Sequence, residues 1–280
     1  MKKALGIVGF LVLAAQLPLW SYDTSPSSWQ IVPEAIWAPA TGGGTWVTEL
    51  QITNLGTSEI YVSAYFDTAA GSAPTAMQLG PIPVLNSVKY SNILATLDAL
   101  DESATVYYGK VGALYLRNLT AGAAFQVQAQ TVNGNFGKTF PGLNVVEGNT
   151  VGDGRPMMIQ GLVRNATYRT FTGIYNPGTT SYTVKFTIVD ATNATVGTPF
   201  EKTVSTYGFQ SFNVFTQAAA PAGDYDNCWL YIEVTSGGSA AEAPMFFGSI
   251  ANNYTNDTYA LLAKQYLVIP PPASAPPIRH

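Results

Sequence analysis

Histidine and cysteine each occur once in these 280 residues, as His280 and Cys228. One cysteine excludes an intramolecular disulfide and a thiol-rich metal centre within the chain. One histidine, at the end of a proline-rich stretch, leaves a Ser-His-acid or Cys-His centre without its usual base, and a transition-metal site without its usual ligands. Charge is scarce too: Asp, Glu, Lys and Arg make up 11% of residues, against roughly 25% in an average soluble domain. A dense basic patch is missing, since Arg155, Arg164 and Arg169 stand apart from one another. Nucleic acid is therefore not an expected partner.

Long apolar runs are also lacking. Ala4 to Ala15 follows Lys2 and Lys3 and precedes a polar, Pro-containing stretch from Gln16 to Ser28. That is the anatomy of an export signal, and it is shorter than the ~20 residues of a membrane span. Cleavage is expected after Ala15, and no Cys follows to carry a lipid. Loss of Lys2 and Lys3 reduces 13 basic side chains to 11 against 17 acidic ones, a formal charge of −6. The expected location is extracellular, cell-surface or periplasmic, with no stable membrane insertion after cleavage.

What the chain does have is alternation. Thr45 to Asp67 and Thr167 to Asp190 each open as an alternating strand, turn at an Asn-x-Gly corner and return as a second alternating strand that ends in Asp. In the first, Trp46, Thr48, Leu50 and Ile52 share a face before the corner Asn54-Leu55-Gly56, and Ile60, Val62, Ala64 and Phe66 share one after it. The second corner is Asn176-Pro177-Gly178. Asn54 to Asn176 and Tyr90 to Phe212 are both separations of 122 residues, the signature of an internal repeat. Half-buried strand pairs need a second sheet to cover them. The expected fold is all-β, two tandem immunoglobulin-like β-sandwich domains. The expected boundaries are a signal at 1–15, a linker or strand at 16–30, sandwiches at 31–145 and 156–266, a linker at 146–155 and a Pro-rich tail at 267–280. A short helix is expected where Ile93, Leu94, Leu97 and Leu100 recur behind a Ser91 or Asn92 cap. Asn133-Gly134 marks a hairpin.

The stretch VPE…GGGTWVTELQITNLG, Val32 to Gly56, with QAQTVNGNFGKTFPG, Gln128 to Gly142, resembles a family of uncharacterised secreted bacterial proteins with immunoglobulin-like repeats. Asn176-Pro177-Gly178 matches that family's corner best, and Ser249 to Tyr259 looks like a degenerate closing motif. The resemblance spans about residues 31 to 264. It implies secretion and a β-sandwich, and its motifs specify turns and packing, so it transfers no catalytic residue.

Candidate chemistry is correspondingly thin. A glycosidase needs two carboxyl groups about 5 to 9 Å apart across a cleft. The available acids, Glu49, Asp67, Glu201, Asp224, Asp226 and Glu233, fall on expected solvent faces or turns. Asp67 and Asp190 occupy equivalent strand ends, which points to local turn hydrogen bonds in both. No enzyme activity is expected. Trp37, Trp46, Tyr225 and Trp229 could offer flat ring faces to a sugar or a protein partner, most of them equally explicable as core or sheet-face residues. Asp224, Asp226 and Asn227 present oxygens to a possible calcium, too few for its 6 to 8 positions without backbone groups or a partner; an Asp/Asn-rich turn is the plainer account. The helix-end acids Asp98, Asp101 and Glu102 likewise lack calcium-loop spacing. No other cofactor is expected. Trp29 to Trp37, interrupted by Pro33, reads as an edge strand or a bulge. An exposed edge there, at Trp29, Ile31, Val32 and Ile36, would allow assembly by strand addition. The expected function is a non-catalytic secreted or cell-surface structural or adhesive protein that binds extracellular proteins or itself; the alternative is a carbohydrate-binding module for surface polysaccharide.

Overall fold

A computed structural model describes residues 24–40, 43–69, 71, 74–102, 106–120, 123–144, 156–237, 244–255 and 257–265. The expected signal at 1–15, linker at 146–155 and tail at 267–280 lie outside them. The chain is an all-β sandwich protein. The first half runs β1 (Trp29–Pro39), β2 (Thr45–Asn54), β3 (Ile60–Asp67), β4 (Met77–Ile82), β5 (Ser87–Tyr90), α1 (Ile93–Leu100), β6 (Lys110–Asn118), β7 (Phe125–Asn133), β8 (Phe136–Pro141) and β9 (Leu143–Asn144). The second runs β10 (Met157–Arg164), β11 (Tyr168–Tyr175), β12 (Tyr182–Val189), β13 (Phe200–Val204), β14 (Phe209–Asn213), α2 (Val214–Gln217), β15 (Tyr225–Gly237), β16 (Met245–Asn252), β17 (Thr258–Leu262) and β18 (Lys264–Gln265).

The second half forms a five-stranded layer, β13-β12-β15-β10-β18, and a four-stranded layer, β14-β11-β16-β17. The first half repeats both orders strand for strand, as β4-β3-β6-β1-β9 and β5-β2-β7-β8, joined into one nine-stranded sheet. The joint has a local cause. A threonine hydroxyl pins each corner between layers: Thr48 Oγ1 accepts from the Ile36 amide, 12 residues back, and Thr170 Oγ1 from the Val163 amide, 7 residues back. The longer first loop lets the hairpin add three ladder positions, Trp37 to Pro39 against Val47 to Thr45.

The Asn corners coincide. Asn54 Nδ2 donates to the carbonyls of Ser58 and Pro83, and Asn176 Nδ2 to those of Thr180 and Ser205. Each Oδ1 accepts the amide of the corner glycine, Gly56 at 2.8 Å and Gly178 at 3.0 Å. A side-chain amide that replaces backbone partners in this way satisfies groups the reversal would otherwise strand. Asn92 caps α1 through the Ala95 amide, and Asn213 caps α2 through the Thr216 amide, both at 3.1 Å.

The halves are packed against each other. Along β1, β3 and β6 one face fills the first core with Val32, Ala64, Phe66, Leu114 and Leu116. The opposite face carries Ile31 and Ala113, which join Phe140, Leu143 and the second half's apolar residues in a shared cluster. Each large side chain so buried contributes about 1.5–3 kcal/mol. Gly173 leaves room for this contact: a Cβ there would stand 1.9 Å from the Phe247 ring, which packs edge-on against Phe140 at 5.7 Å.

Two sequence expectations need correction, and one strand had little sequence signal. β1 is not an edge strand, because it pairs with β6 on one side and with β2 and β9 on the other. Ile31 and Val32 are fully buried, while Trp29 and Ile36 are half-buried. Pro33 is accommodated instead by a register shift between Val32 and Ala35. Strand β13 was not anticipated, although it answers β4 across the repeat. Asp190 does close its own turn, accepting from the Thr192 and Ala194 amides, but its counterpart Asp67 is buried at the junction of the halves.

Lys138 is buried beside Glu34 as an ion pair and donates to Ser249 Oγ of the second half at 3.0 Å. Lys138→Met, which strands Glu34 as an unpaired buried charge, is expected to lower stability by about 3–5 kcal/mol. The double substitution Glu34→Leu, Lys138→Met is expected to recover most of that loss, as read by urea unfolding. A single variant as stable as the parent would show that the pair is not sequestered.

Candidate functional site

Strand register sets out one wall of a crevice at the junction. On the outward face of the five-stranded layer, Tyr65 pairs with Tyr115, Asp67 with Ala113, and Trp29 with Arg117. Residues two apart on a strand share a face, so Trp29, Tyr65, Asp67 and Tyr115 are gathered on one surface. Trp29 and Tyr115 lie 5.2 Å apart by ring centroids, and Tyr65 and Tyr115 5.8 Å. Gly112 permits the close approach of β3 and β6 at this point, since a Cβ there would meet the Asp67 carbonyl oxygen at 2.1 Å.

The second half supplies the other wall from its Asn corner. Tyr175 ends β11, Pro177 and Thr179 belong to the corner, and Tyr207 tips the turn that Asn176 clasps through Ser205 and Gly208. Tyr207 has φ +51°, an uncommon conformation for a bulky residue, and its counterpart Leu85 has φ +52°. The frame is thus repeated, and only the second copy places an aromatic ring on it. Together with Pro74 these residues enclose about 320 Å³.

Among the described residues lining this crevice, Asp67 is the one acid. It is 1% exposed, its Oδ2 accepts the Tyr175 hydroxyl, and its Oδ1 has no hydrogen-bond partner among the described residues. Burial pushes its carboxyl up to about 7, partly opposed by the Tyr175 hydrogen bond. Burial also raises the Tyr175 and Tyr115 phenols, and the Asp67 charge adds to both. One carboxyl in such a ring-lined setting accepts a hydrogen bond or a positive charge. A second acid or a base, as hydrolysis by paired carboxylates would need, is not among the residues lining the crevice.

A second cavity of about 710 Å³ lies between the halves, lined among others by Trp46, Glu34, Lys138, Arg169 and Phe171. Of its charges, Lys138 is engaged with Glu34 and Ser249 and Arg169 with Asn253 at 2.8 Å, while Lys202 lies 5.3 Å from the Phe212 ring centroid.

The sequence-selected aromatics do not form a common platform. Trp37 packs on the first core and meets Tyr108 edge-on at 5.3 Å, while Trp46 lines the larger cavity. Tyr225 stacks on Phe215 under the Arg164 guanidinium, and Trp229 meets Tyr231 on β15. Asp224, Asp226 and Asn227 lie exposed at the start of β15, with Asp226 Oδ1 accepting from Asn165 and Asn227 at φ +57°. Among the described residues no group of three or more His, Cys, Asp or Glu is placed to hold a metal. Asp98 and Asp101 serve Tyr107, accepting its amide at 2.8 Å and its hydroxyl at 3.0 Å. Tyr65, Tyr115, Tyr175 and Tyr207 were missed; the alternation that places Tyr65 beside Asp67 was legible, but the approach of the second corner was not.

No protein-family model matches this chain, and no curated protein matches it.

The folded protein holds the Asp67 proton up to about pH 7, whereas an ordinary carboxyl releases it near 3.8. Stability from this group is therefore present at low pH and falls as pH rises through about 7. Urea unfolding at about pH 5 and about pH 8 is expected to show a decline in the parent, on the order of a few kcal/mol, that is absent from Asp67→Asn. Equal pH dependence in the two proteins would contradict the assignment.

Proposed function

We propose that this chain is a non-catalytic exported protein of the cell surface or extracellular space, structural or adhesive in role, built from two tandem immunoglobulin-like sandwiches that act as one rigid body. The observation that carries this reading is the crevice: five aromatic rings and a single buried carboxyl suit recognition. The low charge and the resemblance to secreted repeat proteins support export. Assembly by strand addition at β1 has no open edge to use, because β6 pairs along one side and β9 and β2 occupy the two ends of the other.

A second reading, binding of neutral polysaccharide, is favoured by the open face of β2, β7 and β8. Gln51, Gln126, Gln128, Gln130 and Thr139 are exposed there beside Thr53, and the register sets Gln51 opposite Gln128 and Gln130 opposite Thr139. A sheet face of amides and hydroxyls offers donors and acceptors to a neutral polymer, and the charges at its margin, Glu49 and Lys89, neutralise each other as an ion pair at 2.8 Å.

Co-sedimentation of the chain lacking residues 1–15 with insoluble polysaccharides and immobilised extracellular proteins tests both. The expected result is retention on one class with no soluble product released. Retention on polysaccharide that drops several-fold in Gln51→Ala, Gln128→Ala would select the second reading. Release of sugar or peptide that is lost in Asp67→Asn would contradict a non-catalytic role.

A further inference from the structure

We propose that the junction crevice is a binding site for a quaternary ammonium cation, held by the faces of Trp29, Tyr65, Tyr115, Tyr175 and Tyr207 with Asp67 as its counter-charge. This rests on the binding role proposed above and names the ligand chemistry of that site.

The electrostatics of the wall single out a cation. Aromatic faces carry negative potential and attract alkylammonium groups, most strongly when several rings surround the charge. The wall already accepts one cation at its edge, where the Arg117 guanidinium stands 4.4 Å over the Trp29 ring. Asp67, by contrast, has no ion-pair partner among the described residues. The groups that shift it are its burial and the Tyr175 hydroxyl, and Oδ1 has no hydrogen-bond partner among the described residues. A carboxyl with a free buried oxygen inside a ring-lined space is incomplete by itself, and a positively charged ligand completes it. A neutral sugar supplies stacking and hydroxyl donors but leaves the charge unmet. The space of about 320 Å³ is at the small end of ligand pockets, the scale of a compact headgroup.

The other titratable groups lining the crevice are Tyr65 on the Asp67 strand, Tyr115 on β6, Tyr175 on β11 and Tyr207 in the turn before β14, and Arg117 on β6 stands over Trp29 at its edge. Burial raises the Tyr115 and Tyr175 phenols further above the neutral range, whereas the raised Asp67 carboxyl falls within it. A cation favours its ionised form, and affinity rises with pH through about 7.

Calorimetric titration with choline chloride, against 3,3-dimethylbutan-1-ol as the neutral isostere and glucose as a neutral sugar, tests the proposal. Ionic strength is held constant. Choline is expected to bind at one site, at least about tenfold more tightly than the isostere, with affinity about tenfold lower in Asp67→Asn and reduced at acid pH. Tyr207→Ala removes a ring from a surface turn and is expected to weaken choline several-fold; near-ultraviolet circular dichroism of both variants verifies that they are folded. Isostere or glucose binding as tight as choline, or choline binding unchanged in both variants, would overturn it. Absence of choline binding in a protein still retained on polymer would overturn the ligand class alone, whereas loss of both would overturn the binding role beneath it.

Discussion

The outward face of β1, β3 and β6 must be covered, and the rest of the molecule follows from how. In a free sandwich that face would meet water. Here it carries Ile31 and Ala113 and is closed by the second half. The covering layer, β14-β11-β16-β17, has the strand order of β5-β2-β7-β8, and in register the two differ in their outward side chains. Glu49, Gln51 and Thr53, paired with Gln130, Gln128 and Gln126 in the first copy, correspond to Phe171, Gly173 and Tyr175, paired with Ser249, Phe247 and Met245 in the second. One copy of the layer is polar and open, and the other is apolar and buried. The difference lies in side chains on a conserved set of strands. The polar copy also ends the stack, since its glutamines offer a further sandwich no apolar surface to cover.

Burying that face confined polar groups that would otherwise have been hydrated. Glu34 and Lys138 answer one another and Ser249; among the described residues Asp67 is answered by the Tyr175 phenol alone. The two junction clusters therefore differ in kind: one is a closed ion pair, the other an acid left short of a partner beside a ring-lined opening. The Asn corner is the common scaffold. Its first copy ends in Leu85, which is 76% exposed, and its second presents Tyr207 to the crevice from the same backbone conformation.

Much of this was legible from residues. Period-two alternation located β2, β3, β11 and β12; the 122-residue repeat paired the corners; an asparagine ahead of helical leucine spacing marked α1. Adding the repeat distance to β4 would also have found β13, whose short run with Glu201 and Lys202 has a weak apolar signal alone. Alternation tells which residues share a face, but not what covers it. Ile31 and Tyr65 could therefore read as edge or solvent residues, and Asp67 as a turn residue like Asp190. The crevice arises from two halves meeting, a contact between residues over a hundred positions apart that no local pattern encodes.

A shared core makes the two halves one cooperative unit. Scanning calorimetry of the chain from residue 16 onwards measures this directly. One transition is expected, with calorimetric and van't Hoff enthalpies equal, and a uniform shift of the whole transition when Phe140→Ala opens the shared cluster. Two resolved transitions, with only the first-half transition moved by that substitution, would contradict it.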